Sequence, residues 1–281
     1  MIGVKAAKSP CPSGSKLSRY DGESLLDPTE YRHMVGCSQY CTLTRPEISF
    51  AVNQLCQHSH SPNSTHWTYA KQVFCYLKGI ADYGLLYTMG DLQLSVFCDS
   101  DWVGDPDDRL STSGFAVFLG KSLVSWSAKK QAVVSHSSTE AEYRSLALTP
   151  ATLFWLRMLF KEVQVPLPST PILWCANVGA LALVSNLVFH ARTKHIKDDY
   201  HFVREKVLNR EILVKFISTV DQVADIFTNA CFAHLTSKLM VIPPISSWGV
   251  VRITDMAKDN SKPLSKDHDT AQNSNVPTVI T

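Results

Sequence analysis

Between Tyr31 and Tyr87 the apolar residues recur at helical spacing. Tyr31, Met34 and Val35 open one amphipathic stretch, and Ile48, Ala51, Val52, Leu55 and Cys56 follow as an i, i+3, i+4, i+7, i+8 stripe. Pro46 falls in the first turn of that second helix, where a missing N–H costs little. Ser64 and Thr65 are placed to cap a third helix that carries Trp67, Ala70, Val73, Phe74 and Leu77 and ends near Gly79. After Asp91 the period changes to two. Leu92, Leu94 and Val96 share one face, so 92–97 reads as a strand, and 114–120 and 122–127 read as two more. A helix opens at Ser137-Ser138-Thr139, and a fourth strand at 171–175 runs straight into a helix at 177–183. A helix at 199–208, a fifth strand at 211–217 and a last helix containing 221–227 complete the order. An antiparallel three-strand meander continued by strands that alternate with helices predicts an α/β mixed sheet.

The two ends lack this periodicity. Residues 1–29 are rich in Ser, Pro, Gly and Lys and read as a linker or truncated end. Residues 231–281 read as an irregular tail, disordered from 255 on. That leaves a helical unit at 30–88 and an α/β domain at 90–230.

Length and composition narrow the class. A chain of 281 residues, 45% apolar and 19% charged, suits a soluble globular protein of one or two domains. A formal charge of +2 is too small to argue for nucleic acid by itself. No apolar run reaches the ~18 residues of a membrane span, so no membrane partner is expected. The N-terminus lacks the apolar core of a secretory signal. None of the eight cysteines forms a C-x-x-C pair and most sit inside apolar periodic segments, which predicts reduced, buried thiols and an intracellular chain, cytoplasmic or nuclear. His58, His60 and His66 gather near a turn, but without a Cys or carboxylate at ligand spacing they do not predict zinc.

The stretch with chemistry in it is Cys98-Asp99-Ser100-Asp101-Trp102-Val103-Gly104-Asp105. A carboxylate at the C-terminal end of a strand, beside a Gly-containing turn, is well placed to hold a divalent metal. Taken alone, an Asp-rich turn reads as solvated or capping.

Longer motifs add weight. Tyr31-Arg…Val35-Gly36, the run from Thr44 to Val52, His66-Trp67…Ala70-Lys71 and Tyr76-Leu-Lys-Gly79 resemble the thumb/connection region of copia-type retrotransposon reverse transcriptases. CDSDWVGD from Cys98, SSTEAEYRSL from Ser137, LWCANVGAL from Leu173, RTKHIKDDYHFVRE from Arg192 and STVDQVADIFT from Ser218 resemble the ribonuclease H domain that follows in the same polyprotein. The similarity runs over about 28–240 in the family's order. It implies a ribonuclease H-like mixed five-stranded sheet flanked by helices, preceded by a small thumb-like helical unit. The polymerase palm is not in this sequence, so polymerisation is not expected.

The resemblance also implies a chemistry: cutting the RNA strand of an RNA–DNA hybrid with two Mg²⁺ (or Mn²⁺) ions held by four carboxylates. By motif matching Asp99 is the first, Glu142 the second and Asp225 the fourth. Glu140 competes with Glu142, but two residues on a helix differ by about 200°, so both cannot face the metals. Glu142 begins the stripe Glu142, Leu146, Leu153, Leu156, Phe160 that is expected to pack on the sheet. The third position, where the family has Asp before Asn, is Ala176, and a methyl group ligates nothing. Lys197 stands where the family usually has an acid, Pro150 interrupts the long helix at a cost of roughly 3 kcal/mol, and Asn229 departs from the family's ending. Together these predict an activity lost or much reduced. Arg192, Lys194, His195 and Arg204, with Lys197, form either a basic face toward a nucleic-acid backbone or an ordinary solvated helix face. Trp102, Trp126, Trp155 and Trp174 are expected in the core or on the sheet. Expected partners are an RNA–DNA hybrid or other nucleic acid and other Pol segments. The alternatives are a non-catalytic hybrid-binding module and an unselected pseudogene product.

Overall fold

A computed structural model of the protein describes residues 4–12, 16–185, 197–230, 237–243 and 279–280. The helical spacing of the first third folds as α1 (Thr29–Cys41), α2 (Ser49–Gln57) and α3 (Ser64–Gly79), with a 3-10 turn at Pro46–Ile48 leading into α2. The α3 cap is Asn63 rather than Ser64 or Thr65. Asn63 Oδ1 accepts from the His66 N–H at 3.0 Å, and His66 Nδ1 accepts from the Asn63 N–H at 3.1 Å. His66 thus stands where a capping box usually has Glu, and its ring stacks on His58 at 3.9 Å.

A short strand, β1 (Gly84–Leu86), precedes the meander of β2 (Leu94–Ser100), β3 (Thr112–Leu119) and β4 (Ser122–Lys130). The long helix α4 (Ser138–Glu162) then crosses to β5 (Ile172–Cys175), which lies parallel to β2. α5 (Val178–Ser185) and α6 (Lys197–Leu208) lead to β6 (Leu213–Phe216), parallel to β5. The sheet order is β4-β3-β2-β5-β6, a mixed five-stranded sheet flanked by helices. From β2 to β6 the structure has the element order expected from the sequence, with two local differences; β1 falls in a stretch whose spacing reads as helical.

The first difference is Pro150, which leaves α4 unbroken. Its ring nitrogen cannot donate to the Leu146 carbonyl four residues back, but the buried Thr149 hydroxyl donates there instead at 2.8 Å. The second is the expected last helix, which is two 3-10 turns, Thr219–Asp221 and Val223–Phe227. Gln222 between them is extended. Its side-chain oxygen accepts from the Ala224 N–H at 3.2 Å, and its amide donates to the Cys98 carbonyl at 2.9 Å. That tether to the sheet takes precedence over helical continuity.

Both faces of the sheet are covered. On one, Leu94, Val96, Cys98, Leu173 and Cys175 pack under Tyr143, Leu146, Leu153 and Leu156 of α4 and Tyr200 and Val203 of α6. On the other, Ala116, Phe118 and Leu123 join Ile226 and Phe227 and the helical unit's Ile48, Val52, Leu55 and Val73 in a single core. Cys11 and Leu17 are buried in that same core, so the N-terminal segment packs at these positions instead of trailing as a linker. β7 (Val241–Ile242) and β8 (Val279–Ile280) flank β1 in a second small sheet, an ordered feature within the stretch expected to be irregular.

Trp126 and Trp174 pack as expected, Trp126 donating to the Thr42 carbonyl at 3.1 Å and Trp174 stacking on Phe97. Trp102 and Trp155 do not: they are 52% and 61% exposed. The seven described cysteines are all free thiols; Cys11, Cys98 and Cys175 are buried as expected, whereas Cys41, Cys56 and Cys75 are half-buried and Cys37 is exposed. No described helix is long and apolar enough to cross a membrane.

Candidate active site

Strand register decides which acids meet. Asp99, next to last in β2, lies opposite Gly114 of β3. A Cβ on Gly114 would fall 2.6 Å from Phe227 Cβ and 2.9 Å from Thr228 Cγ2, so only glycine lets the Val223–Phe227 turn close on the sheet. That closure brings Asp225 against Asp99 and lets the Thr228 hydroxyl donate to Asp99 Oδ2. From the other side α4 is pinned by the Ser145 hydroxyl, which donates to the Asp99 carbonyl at 2.7 Å. Glu142 lies three residues earlier on the same helical face, and its carboxyl reaches that of Asp99. Asp99 therefore lies between Glu142 and Asp225. Glu140 points elsewhere, held by Arg144 at 2.9 Å and by the His136 N–H at 3.0 Å.

The other acids of the Asp-rich turn are structural. Asp101 accepts from the Thr112 N–H, and burial pushes its carboxyl up to about 7. Asp105 pairs with Lys130 at 2.6 Å and accepts from the Asp107 and Asp108 N–H groups. Asp107 takes the Ser18 hydroxyl at 2.6 Å and the Arg19 backbone at 2.8 Å.

Burial and mutual repulsion set the electrostatics of the cluster. Burial first, then the charge of Asp99, pushes Glu142 up to about 10. The same two causes push Asp225 up to about 7. Asp99 is raised by burial despite the donors around it. Glu142 Oε2 is buried and meets no donor; what faces it is the Asp99 carboxyl. Two acceptors aimed at each other need a proton or a cation between them. None of the described salt bridges reaches these three acids. All-oxygen, anionic donors suit a hard divalent ion. The acids stand carboxyl to carboxyl, and among the described residues no three His, Cys, Asp or Glu side chains surround one point as metal ligands would.

The fourth side of the cluster is Ala176. Cys98 and Cys175 are register partners in β2 and β5; Asp99 is the next residue of β2, and Ala176 is the first residue past the end of β5. Asn177 does not replace the missing acid, because its Oδ1 accepts from the Ala180 N–H at 2.9 Å and caps α5. Of the basic residues, Arg192, Lys194 and His195 lie outside the described residues, as does the side chain of Lys197. Arg204 stacks over Tyr200 at 5.8 Å and bonds its hydroxyl at 3.3 Å, so it braces α6 against the ring that faces Tyr143 of α4. Thr228, Ser145 and Gln222 had no role assigned from sequence. Each lies inside a recognised motif, yet nothing in the spacing says that its side chain turns to the end of β2.

No family model matches the chain. The retrovirus-related Pol polyproteins from transposons RE2 and RE1 of Arabidopsis thaliana are each 44% identical to it, over 259 and 251 residues. Those matches cover 90% and 87% of this chain but 18% and 17% of the relatives, so the chain spans less than a fifth of their length. Among solved structures, LC11-RNase H1 isolated from compost overlaps 49% of this chain and 94% of its own, at 14% identity and a TM-score of 0.37, a loose likeness on which nothing further rests. Identity of this size over nine-tenths of the chain, with the motifs in their family order, shows that it belongs to the retrovirus-related Pol polyproteins of copia-type transposons.

Proposed function

We propose that residues 90–230 are a ribonuclease H-type domain whose ancestral reaction is hydrolysis of the RNA strand in an RNA–DNA hybrid, and that this reaction is lost or severely slowed here. The observation that carries the proposal is the trio of acids from β2, α4 and the Val223–Phe227 turn: Asp99 lies against both Glu142 and Asp225, and the residue that follows β5, the strand parallel to β2, is an alanine.

In this reading Asp99, Glu142 and Asp225 are the residues that would hold Mg²⁺ or Mn²⁺, and the ion would supply activation of water and compensation of charge on the scissile phosphate. Thr228 fixes one oxygen of Asp99 and Ser145 fixes its backbone, so the central ligand is oriented before any ion arrives. Ala176 removes one anionic donor from a set that tolerates little slack. Arg192, Lys194, His195 and Arg204 are assigned to the hybrid's phosphate backbone, and other segments of the polyprotein are assigned as intracellular partners.

A hybrid-cleavage assay with Mg²⁺ and Mn²⁺, run on this chain and on Ala176→Asp, tests the reading. The chain should be inert and the variant should cut about 10²-fold faster or more. Cleavage by the unmodified chain at the variant's rate overturns the inactivity; cleavage by neither overturns the ligand assignment.

A further inference from the structure

Directly behind the carboxylates lies a second pair of reactive groups. Cys98 and Cys175 immediately precede Asp99 and Ala176, occupy neighbouring parallel strands, and are Cα partners in register. Both are fully buried in the core on the α4 face of the sheet. The Cys98 thiol also donates to the Trp174 carbonyl at 3.5 Å, and the Cys175 thiol to the Asn177 carbonyl at 3.8 Å. Adjacent strands run about 4.8 Å apart, and a disulfide spans Cα atoms about 4.4–6.8 Å apart. Side chains in register on one face therefore fall within the Cα span that a disulfide bridges. Of the other described cysteines, Cys37, Cys41, Cys56 and Cys75 are in α1, α2 and α3, and Cys11 lies ahead of them; none is on a strand.

We propose that Cys98 and Cys175 are a redox pair that a peroxide closes to a disulfide, tying the ends of β2 and β5 together beside the candidate active site. The steps balance. One thiol takes an oxygen from hydrogen peroxide to become a sulfenic acid, releasing water; the neighbouring thiol attacks that sulfur, the S–O bond breaks, the disulfide forms, and a second water leaves. Over the two steps the thiols lose two hydrogens and the peroxide is reduced. Either sulfur can react first. Both are sealed from solvent, so the pair reacts only when β5 opens locally. That strand has four residues, and its outer neighbour β6 is largely exposed. Oxidation of the pair should therefore lag behind that of the exposed Cys37. The inference does not depend on the nuclease reading, because disulfide closure requires neither a metal nor a substrate.

The test is peptide mapping of the full chain after hydrogen peroxide treatment, blocking of remaining thiols in denaturant, and tryptic digestion. Peptide 79–109 contains Cys98 alone and peptide 162–192 contains Cys175 alone, so one linked mass identifies the bond. The expected result is a 79–109/162–192 conjugate, two hydrogens lighter than the sum. It should be at least tenfold more abundant than in protein oxidised in denaturant, and dithiothreitol should remove it. A conjugate no more abundant than in the denatured control overturns the proposal. So does conversion of either cysteine to sulfinic or sulfonic acid without a conjugate.

Discussion

An ionised carboxyl at Glu142 meets a buried site and the charge of Asp99, so folding without a cation disfavours its charged form. Unfolded carboxyls titrate near pH 4. The folded values are about 7 for Asp225 and about 10 for Glu142. For acids raised in this way, the stabilising proton is fully present below about pH 4. Its contribution is lost as the pH climbs through 7 and on toward 10. The metal-free chain should therefore melt at a lower temperature at pH 8 than at pH 5, and Glu142→Gln should flatten that slope. Added Mg²⁺ should raise the melting temperature more at pH 8 than at pH 5. A parent slope that Glu142→Gln leaves unchanged would contradict the placement of this carboxyl.

Two elements carry a fault and its repair within a few residues. In α4, Pro150 withholds a donor from the Leu146 carbonyl and Thr149 supplies one. Thr149→Val keeps the shape but leaves a buried carbonyl without a partner, so it should cost about 1–3 kcal/mol. Denaturant unfolding monitored by circular dichroism would show this as a lower midpoint at an unchanged slope. In Pro150→Ala the backbone again provides the N–H, so adding Thr149→Val there should cost less than it does in the parent; equal costs would remove the compensation argument. At the turn 218–228, Gln222 exchanges a helical path for a bond to the strand that bears Asp99. The period-based expectation of a helix fails there because one side chain has a partner 124 residues away.

At the scale of the molecule, the thumb-like helices are the cover of one sheet face. Ile48, Val52 and Leu55 share a core with Phe118, Ile226 and Phe227, leaving no dry boundary near residue 90. The helical unit and the sheet should then unfold in one transition. Ile48→Ala, at a fully buried site, should lower the stability of the whole by about 2–5 kcal/mol. Calorimetry resolving two transitions, with only one shifted by that substitution, would show two independent cores instead.

The sequence by itself determined the element order and the mixed sheet, because hydrophobic period is a local property, and its resemblance to the family singled out Asp99, Glu142 and Asp225. It also marked Ala176 as the residue that departs from the family's motif. Helical rotation says that Glu140 and Glu142 cannot share a face, the apolar stripe that Glu142 begins favours Glu142, and Glu140 is held in an ion pair with Arg144. What only the tertiary structure decided is everything that depends on partners distant along the chain. It shows Asp101 and Asp105 absorbed into turn architecture, Thr228 and Ser145 orienting Asp99, Cys98 abreast of Cys175, and the helical unit sealing the back of the sheet. Such contacts join residues that share no period and no spacing, and only the folded register brings them together.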